Sequence, residues 1–373
     1  MMRSLVEDAL AREPGPGSSI AEAAMLGQDQ RVDAELEQIL RSLKTNIKIV
    51  GVGGGGTNTV ARLYDEGIVG AELYAANTDA QHLLTLKAPH KILLGRRVTR
   101  GLGAGALPQV GEEAAREVED DLKKILADTH ICFVTCGLGG GTGTGGSAVV
   151  ARIAKEMGAL TIAVATMPFR GEGKMRMENA EWGLDRLRDA ADTVIVIPND
   201  KLLEIVPRLS LNAAFKVADE VLMRSIKGLT EVITRPGLVN LDFNDVKTIM
   251  KGAGVAMMGM GESDAPGDDR VLEAIDQAIN SPLLEVDISE ATAVLIDVIG
   301  GTDMTISEAE KAAEEVQSRV SSNARIIWGA AVDPAMDKTV RVMLVATGVK
   351  SKQILGKPTE RRFKGVGEVD LVR

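Results

Sequence analysis

Residues Gly139 to Gly145 read Gly-Gly-Gly-Thr-Gly-Thr-Gly and follow closely on an apolar run, Ile131-Cys132-Phe133-Val134-Thr135-Cys136. Five glycines in seven residues make a poor helix or strand interior, because each gives up more backbone entropy on folding than any other residue would. The run makes sense where the backbone itself approaches a ligand and aims several N–H groups at one anion. The helix predicted over Gly146 to Met157 would add its positive N-terminal end to the same spot. Thr142 and Thr144 supply hydroxyl donors without charge, and the run contains no lysine. A Gly-rich linker is the alternative, but a linker is not framed by a buried-type strand and an apolar helix. The unit is a phosphate cradle by composition and position.

From Ile47 onward the chain alternates strands and helices. Ile47–Val50, Glu72–Ala76, Lys91–Leu94, Ile131–Thr135, Leu160–Thr166 and Thr193–Pro198 read as strands, and most of the turns that follow lead into amphipathic helices. That alternation predicts an α/β fold with a doubly wound parallel sheet, whose ligands sit at the carboxyl ends of the strands. A long helix is predicted over Asn212–Thr234, where Phe215, Ala218, Leu222, Ile226, Leu229 and Ile233 repeat at close to 3.6 residues. Beyond it, strands near Val255–Gly261, Thr292–Val298, Ala324–Ala331 and Thr339–Gly348 alternate with helices near Asp269–Ile279 and Ser307–Val320, a smaller α/β domain without glycine cradles. The expected organisation is an N-terminal extension over 1–44, a ligand-binding domain over 45–211, a central helix over 212–234, a C-terminal domain over 235–350 and a tail over 351–373. In the extension, Val32, Leu36, Ile39, Leu40 and Leu43 fall at helical spacing after a Pro14–Ser19 break.

The net charge of −10 argues against a general nucleic-acid binder, which would present a basic face. The acidic excess suits a soluble cytoplasmic protein. Cys132 and Cys136 fall within one strand, too few for a zinc site, and read as buried thiols in a reducing compartment. No apolar stretch reaches the roughly 18 residues of a membrane helix, and a signal-peptide core is not evident.

Several strand ends carry ligand-type residues. Gly51-Val52-Gly53-Gly54-Gly55-Gly56 is a formal G-x-G-x-x-G, a weak signal alone, with Asn58 expected where the next helix begins. The second strand ends Ala76-Asn77-Thr78-Asp79-Ala80-Gln81, and Gly101-Leu102-Gly103-Ala104-Gly105 follows the third. A ligand with several phosphates is the economical explanation, and the absence of G-x-x-x-x-G-K-[ST] disfavours Walker-type NTPases. Glu172 and Arg176, four apart, would share a face at a helix start, either as a surface ion pair or as a grip on ribose and phosphate. Asn199, Phe215 and Asp219 could form a base pocket, the carboxylate accepting from guanine N1–H and amino groups; for Phe215 plain core packing is the simpler reading. In Asn240-Leu241-Asp242-Phe243-Asn244-Asp245 the two carboxylates could cap a helix or orient a water. The cradle has no acid of its own, so hydrolysis needs one from elsewhere.

Together these residues resemble the tubulin/FtsZ family of cell-division GTPases over about residues 45 to 350, the Gly139–Gly145 heptapeptide carrying most of the specificity. The resemblance implies GTP/GDP binding and GTP hydrolysis, with magnesium bridging the phosphates and potassium as a further candidate ion. Gly54, Gly55, Asn58, Ala76, Asn77, Gly103, Ala104, Gly105 and Gly139, Gly140, Gly141, Thr142, Gly143, Thr144, Gly145 would hold phosphates and nearby sugar. Glu172 and Arg176 would hold ribose and phosphate, with Asn199, Phe215 and Asp219 at guanine. It further implies head-to-tail protofilaments forming a midcell ring, in which Asn240, Asp242 and Asp245 of one subunit act on the GTP of the next, and a membrane-tethering partner docked on the extreme C-terminus, here residues 367–373.

Two departures stand out. Ala106-Leu107-Pro108 lacks the amide that family members usually carry before that proline, near the γ-phosphate, and Gly146-Ser147-Ala148 lacks a helix-start proline. The long N-terminal segment and short tail look archaeal. Two other readings remain open: a tubulin-like paralogue that controls cell shape, and a nicotinamide-dependent oxidoreductase built on the first glycine turn. The second needs a catalytic donor, and His82, His90 and His130 have no persuasive setting for it.

Overall fold

The computed structural model describes residues 45–205, 210–234, 237–239, 241–267, 269–284 and 288–349. The helix expected within 1–44, the tail over 351–373 and Asn240 lie outside the described residues.

Strand β1 (Ile47–Val52) leads into α1 (Gly53–Asp65), β2 (Ala71–Asn77), α2 (Ala80–Thr85) and β3 (His90–Leu93). Then come α3 (Pro108–Glu117), α4 (Glu119–Leu126), β4 (Ile131–Gly137), α5 (Thr142–Glu156) and β5 (Leu160–Met167). After a 3-10 turn at Arg170–Glu172 follow α6 (Lys174–Ala190), β6 (Thr193–Pro198), α7 (Asn199–Ile205) and the 24-residue α8 (Leu211–Thr234). The last part is α9 (Phe243–Met250), β7 (Gly254–Ser263), α10 (Asp269–Ile279), β8 (Ala293–Gly300), α11 (Ile306–Arg319), β9 (Arg325–Val332) and β10 (Val340–Thr347).

The strands form one sheet in the order β3-β2-β1-β4-β5-β6-β7-β10-β8-β9. From β3 to β6 every pairing is parallel, as near-continuous apolar strands require when helices cover both faces. Three parallel pairs from Thr193↔Gly254 to Ile195↔Ala256 join β6 to β7. Beyond them β10 runs antiparallel to both neighbours, and β9 runs parallel to β8. The C-terminal part is therefore a mixed sheet that continues the parallel one.

Alternation along β4 shows how the faces divide. Ile131 and Phe133 enter a core with Val60 and Leu63 of α1 and Ala218, Leu222, Ile226 and Leu229 of α8. Cys132, Val134 and Cys136 enter the opposite core with Ala114 of α3, Ile153 of α5 and Leu187 of α6. Burial pushes the two thiols up to about 12 for Cys132 and about 11 for Cys136, so they are inert packing groups. A third core packs α10 and α11 on β8 and β10. There the buried Arg270 joins the two helices by donating to Glu308 at 2.8 Å and to Asp303 at 2.6 Å. No described helix is long and apolar enough to cross a membrane.

The register positions the site. Val52 lies opposite Ala76 on one side and Cys136 on the other, so β1, β2 and β4 end level. The chain reverses its direction of travel across the sheet between β1 and β4, and the crevice outside that switch point is where such sheets bind ligands.

Candidate functional site

The heptapeptide departs from expectation in one respect. Helix α5 begins at Thr142, four residues before the predicted Gly146, and Gly145 N already donates to Gly141 O at 3.0 Å. Gly143 and Gly145 thus lie in the first helical turn and Gly139–Gly141 in the loop that leads into it, and the N–H groups of Thr142, Gly143 and Thr144 have no partner within the helix. Helix α1 likewise starts at Gly53, which leaves Asn58 in its second turn instead of at its start.

Two kinds of glycine make up the cradle. A Cβ on Gly145 would sit 1.9 Å from Pro108 O, one on Gly143 2.6 Å from Gly137 O, and one on Gly53 2.6 Å from Gly143 N. These residues are small because backbone packs on backbone. At Gly54 and Gly140 a Cβ would meet nothing within 4 Å, and neither has a positive φ. Neither packing nor backbone conformation asks for glycine there; close approach by a group outside the chain does. Gly103 and Gly105 also face open space, at φ 85° and 57°. The cradle therefore fits a polyphosphate.

The neighbouring loops lock onto it. Gly141 N donates to Gly105 O at 2.8 Å, and Gly103 N to Thr78 O at 3.2 Å. Thr142 and Thr78 share a hydrogen bond of 2.6 Å between their hydroxyls. Thr144, expected to serve a ligand, is fully buried and accepts from Gly139 N at 2.8 Å, which holds the loop in shape. Ala76, Asn77 and Ala104 are buried too, so Ala76 and Ala104 can offer a ligand only their backbone. Asn179, which sequence reasoning did not single out, donates from α6 to Ala106 O at 3.0 Å and Gly139 O at 3.4 Å. Leu107 caps the start of α3 without a side-chain bond and is 59% exposed, so its position offers the ligand an apolar group.

Glu172 and Arg176 do meet, at 2.7 Å, across the 3-10 turn and the first turn of α6. The second Glu172 oxygen accepts from Phe169 N at 2.9 Å, leaving the half-exposed Arg176 with its remaining donors. At the far end of the crevice Phe215 departs from the simple reading: it is 38% exposed instead of buried, with its ring edge-on to Phe169 at 5.2 Å. Asn199 opens α7 and is 4% exposed, yet its Oδ1 has no hydrogen-bond partner among the described residues. A buried amide oxygen without a partner is costly unless a ligand supplies the donor. Burial lifts Asp219 to about 6, opposed by the positive charge of Arg62, whose Nε lies 3.8 Å away. Arg62 was not picked out from sequence.

Asp242 and Asp245 stand elsewhere. Each caps the other's backbone: Asp245 N donates to Asp242 Oδ1 at 2.8 Å, and Asp242 N to Asp245 Oδ2 at 3.4 Å. Phe243 between them lies 6.1 Å from the ring of His130, just before β4, and Met250 at the end of α9 accepts from Thr193 Oγ1 at the start of β6. Both contacts hold α9 at the N-terminal edge of the parallel strands. The cradle is at the other edge, about 20 Å away along the length of β4. Asp242 is exposed to solvent there.

Residues 46–207 match the GTPase domain of the Tubulin/FtsZ family, and residues 254–350 match the C-terminal domain of the FtsZ family. The chain is 56% identical to "Cell division protein FtsZ 1" of Archaeoglobus fulgidus, with 100% of each chain covered. It is 52% identical to "Cell division protein FtsZ" of Haloferax mediterranei, covering 99% of this chain and 98% of that one. Among solved structures, an empty FtsZ dimer from M. jannaschii superposes with a TM-score of 0.83 at 51% identity, over 91% of this chain and 99% of that one.

Proposed function

Because the chain belongs to the tubulin/FtsZ family and carries both its GTPase domain and the FtsZ C-terminal domain, we propose that it is a cell-division GTPase whose copies polymerise head to tail, the acids of one copy completing the site of the next. The separation of cradle and acids supports this reading above all: the exposed Asp242 and the half-buried Asp245 sit at the opposite edge of the sheet from the glycines. A repeated contact of one edge on the other does not close on itself and generates an open filament.

In this reading the first-turn amides of α5 and the open glycines Gly54, Gly103 and Gly140 hold the phosphates. Arg176, held on one side by Glu172, adds positive charge toward phosphate and ribose with its remaining donors. Asn199 and Asp219 receive the donors of guanine, and Phe215 with Phe169 supplies an apolar wall. Magnesium, with potassium as a further candidate, would sit among the phosphate oxygens and offset their charge. Asp242 and Asp245 of the neighbouring copy, with its Asn240, would orient the attacking water. The segment 367–373 is the candidate peptide for a membrane-tethering partner that holds the filament at the division site.

The test is GTP turnover per subunit against protein concentration, with light scattering to follow polymer. The expected result is a steep rise above a critical concentration; a rate per subunit that does not depend on concentration overturns the assembly-coupled site. The cell-shape role weighed from sequence draws no support from the relatives above, which carry cell-division names.

A further inference from the structure

One imidazole is built into the wall of the crevice. His82, in the first turn of α2, lies between two amide side chains: its Nδ1 is 3.0 Å from Asn77 Nδ2 and its Nε2 is 3.2 Å from Asn58 Oδ1. The direction of each bond follows from the neighbours. Asn77 Oδ1 already accepts from Thr78 N at 2.8 Å, so its NH2 group must be the one that faces the ring. A bare Nδ1 therefore accepts, the ring proton sits on Nε2, and Asn58 Oδ1 receives it. A ring with a proton on Nδ1 would set two donors against each other, and turning Asn77 over would do the same at Thr78. Asp79, whose Oδ1 accepts from the backbone N of His82, fixes the start of α2 and with it the height of the ring.

The consequence falls on Asn58. With Oδ1 tied to His82, its Nδ2 has no protein partner among the described residues. Gly54, Asn58 and Arg62 follow at four-residue intervals and line one face of α1. Gly54 borders the phosphate cradle, and Arg62 stands beside Asp219 at the base end. Four residues of helix span about 6 Å, which sets Asn58 at the sugar and first phosphate of a nucleotide laid along that face.

We infer that His82 is a positioning residue for the nucleotide: the neutral ring, protonated on Nε2, holds the Asn58 carboxamide so that its NH2 group meets an acceptor oxygen of the ribose or α-phosphate. This rests on the nucleotide reading above and adds a residue to it. Asn77 stays fixed by Thr78 N, but an aliphatic side chain at 82 would leave Asn58 free to turn, and its NH2 donor would then be ordered only on binding.

Two measurements on the full chain test it. In the first, GDP affinity and the KM and kcat for GTP are compared for the wild type, His82→Leu and His82→Gln. Glutamine offers one acceptor and one donor and replaces the ring in kind. His82→Leu is expected to weaken GDP binding and raise KM about tenfold, the worth of one well-oriented hydrogen bond, with a smaller change in kcat, and His82→Gln to recover most of the loss. In the second, 15N NMR of the three labelled histidines reads the tautomer directly in the wild type, whatever the variants do to stability. An Nε2–H ring at His82, perturbed when GDP binds, is the expected result. An Nδ1–H ring, or wild-type GDP affinity in His82→Leu, overturns the relay alone. Failure of the wild type to bind GDP overturns the nucleotide reading and the relay with it.

Discussion

Arg62 of α1 and Asp219 of α8 face each other, 3.8 Å from Nε to Oδ2. Desolvation outweighs the arginine, and the carboxyl rests at about 6. In the proposed reading a guanine edge would donate to the ionised carboxylate, so proton and base would compete for the same oxygens. GDP affinity is therefore full at neutral pH and above, and falls as pH drops through 6. Arg62→Leu removes the opposing charge and shifts this loss to higher pH. Asp219→Asn removes the dependence due to this group and weakens binding about 10- to 100-fold, as expected for a charge-assisted hydrogen bond. Titration of a fluorescent GDP analogue between pH 5 and 8 reads all three, and an unchanged midpoint in Arg62→Leu counts against the pairing.

The two kinds of glycine predict opposite effects of one methyl group. Gly145→Ala forces Cβ against Pro108 O and costs about 1–3 kcal/mol of stability as α3 and α5 move apart. Gly54→Ala and Gly140→Ala meet open space, and at Gly54, inside a helix, alanine stabilises by up to about 1 kcal/mol. Both should nevertheless weaken GDP binding at least tenfold, since the methyl stands where the ligand comes close. Melting of the ligand-free chain beside GDP affinity separates the classes. Normal affinity in Gly140→Ala would remove that residue from the phosphate site.

The strands could be read from sequence because parallel strands covered on both faces are plain apolar runs, and Ile131–Thr135 or Leu160–Thr166 can hardly be anything else. Glycine was harder. Its cost in a helix interior hid the true starts of α1 and α5, since a first turn packed against other backbone follows a different rule from an exposed interior turn. Phe215 fits the 3.6-residue repeat of α8 yet lies where that helix passes beyond the core, and periodicity carries no information on where packing stops. The pairs Arg62–Asp219 and Asn179–Ala106 join residues far apart in the chain through single contacts that leave no pattern in it. The opposed placement of Asp242 and the cradle is a property of strand direction, and it could be stated only once α9 was fixed beneath the N-terminal ends of β4 and β6.

Asp297 on β8 is 2% exposed, and its Oδ2 has no hydrogen-bond partner among the described residues. Burial first, then the charge of Glu231, push it up to about 8, with Arg341 opposing. It is largely protonated at neutral pH, whereas an unfolded aspartate ionises near pH 4. Between these values the folded chain holds the extra proton, so this group makes stability fall as pH rises, by up to about 1.4 kcal/mol per pH unit. Asp297→Asn mimics the protonated acid and removes that slope, leaving the variant more stable than the wild type at pH 7 to 8. Urea unfolding between pH 5 and 8.5 checks the sign; parallel curves for the two proteins would contradict it.

Asp245 gives the sharpest test of the divided site. Its own hydrogen bond to Asp242 N is long, at 3.4 Å, while Asp242 remains as the N-cap of α9, so Asp245→Ala should cost about 0.5 kcal/mol or less. GTP binding stays intact and turnover is lost. Gly140→Val blocks the cradle and keeps the acids, so it too is inactive alone. Mixed in equal amounts, the two can place an intact cradle against intact acids at about one in four contacts of a random head-to-tail filament. Turnover should then recover to about a quarter of the wild-type rate on mixing, rising with total protein as filaments form. Acids that served their own cradle would leave the mixture as inactive as its parts.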